Sequence, residues 1–112
     1  EFIRLIDYME QHMADEITLE KLARLIHFNK SYLIEQFKEA MGVPPMKYLN
    51  EMRMEKAKEL LITTEKSITD VATETGFQSI HYFSRTFKKK ENMTPHDYRV
   101  KYAEVIAPDQ LI

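Results

Sequence analysis

Residues 78–90 of this 112-residue chain concentrate side chains that donate or accept hydrogen bonds and carry positive charge: Gln78, Ser79, His81, Ser84, Arg85, Lys88, Lys89 and Lys90. Phe83 and Phe87 interrupt them four positions apart, so on a helix the aromatics share one face and the polar groups take the rest. A second such set, Asn29, Lys30, Ser31, Glu35, Gln36 and Lys38, surrounds Leu33 and Phe37. These faces suit recognition rather than bond breaking. An arginine can fork onto guanine O6 and N7, and a glutamate can accept from a cytosine amino group. Lysines neutralise phosphates. Ile80 either touches a thymine methyl or stands as an exposed apolar residue. The four histidines, at 12, 27, 81 and 96, lack ligand spacing, and no Ser/His/Asp or paired-carboxylate arrangement stands out. We therefore expect no enzyme, no catalytic residue, no metal and no cofactor.

The two polar sets sit inside a repeat. Leu19, Leu22, Ala23 and Phe28 recur 49 positions later as Ile68, Val71, Ala72 and Phe77. Leu33, Phe37, Pro45 and Tyr48 recur 50 positions later as Phe83, Phe87, Pro95 and Tyr98, so the second copy carries one extra residue between its helices. Each copy reads as helix, tight turn, helix. A second helix laid in a major groove needs a first helix to brace it. A small residue at the crossing (Ala23, Ala72) lets the two approach. Gly76 suits a positive φ in the turn, and Phe28 and Phe77 pin the turn to the core.

The spacing predicts an all-α fold of seven helices: two helix-turn-helix lobes joined by a long linker helix. An amphipathic helix over 1–13 presents Phe2, Ile3, Ile6, Met9 and Met13. Thr18 caps a helix over 19–26 and Asn29 caps one over 30–41 with Leu33, Phe37 and Met41 inward. Pro45 opens the linker helix, which ends near 62 and whose Arg53, Glu55, Lys56, Lys58 and Glu59 suit a partly exposed surface. Ser67 and Asp70 begin a helix over 68–75, with a further helix over 79–90 whose apolar positions are Tyr82, Phe83 and Phe87. Thr94 and Pro95 start a last helix to about 102. The expected organisation is one domain over 1–112: lobe 1 about 1–43, linker about 45–62, lobe 2 about 66–102, and a loose tail 103–112.

Composition is that of an ordinary globular domain, 44% hydrophobic and 30% charged, with no membrane-spanning run. No secretory leader is visible. With no initiating Met at Glu1, a fragment or processed chain is expected. The absence of Cys excludes a disulfide framework and a Cys-based zinc site, and it fits a reducing cytoplasm. The net charge is −2, yet residues 77–101 hold six basic side chains against two acidic ones, while residues 1–26 hold six acidic against three basic. A basic end and an acidic end suit a phosphate-facing side and a solvent- or protein-facing side.

The chain closely resembles the AraC/XylS family of bacterial transcription regulators from about Ile6 to Arg99. The linker pattern of that family appears as Arg53, Ala57, Leu60 and Leu61. Its second-half signature appears as Ile68, Val71, Ala72, Gly76, Phe77, Tyr82, Phe83, Arg85, Phe87, Lys88, Thr94, Pro95, Tyr98 and Arg99. Departures are His27 for the usual Gly, Asn29 for the usual Ser and Asn92 for the common Gly. The resemblance implies two recognition helices entering adjacent major-groove segments of double-stranded DNA. It implies RNA polymerase as a partner of the full regulator, no membrane, a cytoplasmic location and a monomeric fragment. The expected DNA-binding residues are Asn29, Lys30, Ser31, Glu35, Lys38, Gln78, Ser79, Ile80, His81, Ser84, Arg85, Lys88 and Lys89. The competing expectation is a helical protein-interaction module with vestigial DNA binding.

Overall fold

The computed structural model describes residues 2–106. Among them lie seven α-helices and no strand, as the spacing predicts: α1 (Ile3–Gln11), α2 (Leu19–Leu25), α3 (Lys30–Met41), α4 (Pro45–Thr63), α5 (Ile68–Glu74), α6 (Ile80–Glu91) and α7 (Pro95–Ile106). They group into two compact units that divide within α4, between Arg53 and Met54.

The first unit is built on Leu5, Met9, Ile17, Leu22, Ala23, Leu33, Phe37 and Leu49. From the cap of α1 onward the inward stripe runs Phe2, Leu5, Ile6, Met9, the spacing of one helical face. Ile3, expected on that face, is instead 78% exposed, because it lies about 100° round the helix from Phe2. Met41, also expected inward, is exposed in the last turn of α3, where the chain leaves the core at Gly42 (φ 89°).

The second unit repeats this plan with Met54, Ala57, Leu61, Val71, Ala72, Phe77, Phe83 and Phe87. Phe77, Phe83, Phe87 and Tyr98 form a continuous aromatic line with ring centroids 4.9, 5.7 and 5.3 Å apart. Offset and edge-on packing of this kind adds to simple area burial. Tyr82, expected among the apolar positions of α6, is 47% exposed because it points about 100° away from Phe83. The last helix continues past Tyr102 to Ile106, with no Gly or Pro to stop it sooner. Residues 107–112 of the expected tail lie outside the described residues.

Both turns close in the same way. Phe28 N donates to Ala23 O and Phe77 N to Ala72 O, each at 2.9 Å. His27 and Gly76 both take positive φ, 62° and 92°. The histidine thus fills the role of the glycine, at the cost an L-residue bears in that region.

One tie was not legible in the sequence. Arg53 is buried, 8% exposed, where a partly exposed linker residue was expected. Its Nε donates to Met13 O (3.1 Å) and its Nη2 to Asp15 O (2.9 Å), fastening the loop after α1. Burial lowers its pKa from the usual arginine value. In the second unit Arg99 does the corresponding work, with Nε donating to Leu61 O (2.7 Å) and Nη2 to Thr64 O (3.3 Å). Asp15 and Thr64 are themselves 49 residues apart, the offset of the repeat.

Candidate nucleic-acid interface

Each unit presents one helix held by its neighbours. In the first, α2 packs against α3; in the second, α5 packs against α6, which also packs against α7. Both recognition helices begin with a side-chain cap that orients the first turn. Asn29 Oδ1 accepts from Tyr32 N (2.8 Å) and Ser79 Oγ from Tyr82 N (3.1 Å). The predicted helix over 79–90 therefore starts one residue later, with Ser79 as its cap. The extra residue of the second copy is Gln78, placed between the pinning Phe77 and this cap and exposed to solvent. At the other end, Gly42 N and Asn92 N donate to Lys38 O and Lys88 O, each 2.8 Å, from left-handed residues.

The outward arc follows from the helical period. With Phe83 at the core, Arg85 lies about 200° round α6, and His81, Ser84, Lys88 and Lys89 fall in the same outer arc. Arg85, His81, Lys88 and Lys89 are exposed and Ser84 is half-buried. Three basic residues converge there with no acidic neighbour in the arc, and Lys88, Lys89 and Lys90 close the last turn, where the helix dipole favours cations. The α3 arc is different: Ser31, Ile34, Glu35, Lys38 and Glu39 surround a shallow groove, with one basic residue against two acidic ones. The structure thus brings Ser31, Glu35 and Lys38 onto one face, and His81, Ser84, Arg85, Lys88 and Lys89 onto another.

Four expected contact residues are placed differently. Ile80 is partly buried and packs against the second core on the stripe of Phe83 and Phe87, so it is not the simply exposed apolar residue of the second expectation. Asn29 and Ser79 spend their side-chain oxygens on capping. Lys30 Nζ donates to Glu20 Oε2 at 3.0 Å, across the turn from α2. That bond, helped by Coulomb attraction, holds the Glu20 carboxyl below the usual glutamate range. Ile34, which the sequence analysis did not single out, is 37% exposed and lines the α3 groove; its place one residue from the inward Leu33 was the available signal.

Among the described residues no group of three or more His, Cys, Asp or Glu could hold a metal, and no helix is long and apolar enough to cross a membrane. A duplicated helix-turn-helix with capped, outward-facing second helices defines a double helix-turn-helix protein. Comparison with known proteins agrees. A helix-turn-helix domain family matches residues 22–101. The transcriptional activator RhaS of Escherichia coli is 37% identical over 95 residues, which is 85% of this chain and 34% of RhaS. An AraC-type transcriptional regulator structure from Chromobacterium violaceum superposes with a TM-score of 0.82 at 29% identity, over 91% of each chain. The DNA-binding domain of AdpA, solved in complex with a target DNA, gives a TM-score of 0.88 over 96% of each chain; at 23% identity this speaks for the fold alone. The chain belongs to the AraC/XylS-type helix-turn-helix family of DNA-binding transcription regulators. It spans only 13% to 34% of the length of the curated relatives it matches.

Proposed function

We propose that this chain is the promoter-reading part of a larger bacterial regulator and that α3 and α6 read adjacent major-groove segments of one duplex. The observation that carries this reading is the outer arc of α6, where Arg85, Lys88 and Lys89 stand exposed opposite a core-anchored, capped helix. Lys88 and Lys89 neutralise phosphates and make binding salt-dependent. Arg85 forks onto guanine, with His81, Ser84 and Gln78 completing the readout of that segment. The near-neutral arc of α3 adds little affinity and more discrimination: Glu35 accepts from a cytosine amino group, while Ser31 and Lys38 contact bases or backbone. Lys30 gives one of its three donors to Glu20 and keeps the others for phosphate. Asn29 and Ser79 act chiefly by fixing the helix starts.

No reaction is catalysed in this scheme and no cofactor is needed. The lobes at about 1–43 and 66–102, with their linker, act as one DNA-binding domain, monomeric by itself. RNA polymerase is the partner of the whole regulator, which works in the cytoplasm where promoters lie. The similarity to RhaS, named an activator, supports a role in switching genes on.

The test is selection of bound sequences from a random duplex library, then fluorescence anisotropy on the winner at two salt concentrations. The expected result is an asymmetric site whose halves lie about one helical turn apart. Arg85→Ala should then lose roughly 1–3 kcal/mol on that site, and Lys88→Ala should lower the salt slope by about one. If no sequence is enriched and weak binding ignores Arg85→Ala, the reading fails.

A further inference from the structure

Ile34 has no structural task that its surroundings explain. It sits 37% exposed in the middle of α3, one residue from the fully buried Leu33. Its neighbours on the outer arc, Ser31, Glu35, Lys38 and Glu39, are all polar and line a shallow groove with it. The repeat places Ser84 at the equivalent position of α6, 50 residues on, so the two units differ there in chemistry. A β-branched side chain in a helix is held mainly in one χ1 rotamer, so its methyl groups project in a fixed direction at little entropic cost. Among the base edges of the major groove, the one strongly apolar group is the thymine C5-methyl.

From this we infer that Ile34 is a specificity-determining residue that contacts a thymine methyl in the segment read by α3, beside the base accepted by Glu35. The inference rests on the DNA-reading role proposed above. It assigns the thymine contact to the first unit, in place of Ile80, whose side chain packs on the second core. It also explains how a nearly neutral helix earns selectivity: an apolar contact and a carboxylate discriminate between bases without adding charge.

The experiment uses the whole chain and its selected duplex. Every thymine is replaced in turn by deoxyuridine, which lacks only the C5-methyl group. Wild-type protein should lose roughly three- to ten-fold in affinity at one thymine, the order expected for one buried methyl. In Ile34→Ser, which installs the residue type found at position 84, that penalty should vanish, while in Arg85→Ala it should persist. Circular dichroism confirms folding of each variant. Three outcomes overturn the inference: a site with no thymine in the α3 half, wild-type indifference to every deoxyuridine, or an Ile34→Ser variant that keeps the full penalty. Failure of the DNA-reading role itself looks different, since no duplex sequence would then be enriched at all.

Discussion

Arg53→Met tests the least visible support of the first recognition helix. The guanidinium makes two hydrogen bonds to carbonyls, at 3.1 and 2.9 Å, from a nearly buried position. Bonds from a charged donor contribute roughly 1.5–3 kcal/mol each, or about 3–6 kcal/mol together. Methionine fills a similar volume and carries no desolvation penalty, which offsets part of that loss. Met13 is half-buried and Asp15 exposed, so their carbonyls regain some water. A net loss of about 2 kcal/mol is expected, a large share of the 5–15 kcal/mol typical of a domain. The chain has no Trp, so urea unfolding is followed by far-UV circular dichroism. Amide exchange locates the loss: it should speed up in α1, α2 and α3, because both bonds lie within the first unit. Arg53→Lys should recover at most half, since one ammonium cannot reproduce the planar fork. A loss below about 0.5 kcal/mol, or equal loosening of α5, α6 and α7, would refute the reasoning.

Stability should fall above roughly pH 10. Burial lowers the Lys58 pKa, but hydrogen bonds to Glu55 and Glu91 more than offset this and raise it, while burial raises that of Tyr98. Each group binds its proton more tightly in the folded state, so its contribution is complete below the unfolded pKa and is lost as pH climbs through the folded one; Lys58→Met should flatten the alkaline limb of a thermal-melt pH series. His27→Gly should raise stability by about 0.5 kcal/mol, the relief of positive-φ strain less the added freedom of the unfolded chain, and a lower melting temperature would contradict it. Ser79→Ala should cost about 1 kcal/mol of stability by removing the cap on Tyr82 N, measured by urea unfolding. Phe87→Ala, within the aromatic line of the second unit, should cost about 3–5 kcal/mol, and a loss below about 2 would mean the core collapses around the gap.

The sequence by itself determined the helix count, the repeat and most helix boundaries. Those features depend on period and punctuation: Leu33 with Phe37, Phe83 with Phe87, caps at Thr18, Asn29 and Ser67, and stops at Gly42 and Gly76 all act within one turn of chain. It also marked out the outer arc of α6, because Arg85 is fixed opposite Phe83 by the helical period alone. The identity of a side chain was a poorer guide where type and position disagreed. Ile3, Met41 and Tyr82 are apolar or aromatic yet exposed, and Arg53 is charged yet buried. The helical period already accounts for Ile3 and Tyr82, but only the tertiary structure decided the burial of Arg53. Whether an isoleucine faces core or solvent depends on which residues of other helices surround it. The burial of Arg53 depends on carbonyls some forty residues away that local pattern cannot see. The same holds for the outer faces: packing set Ile80 against the second core and left Ile34 37% exposed.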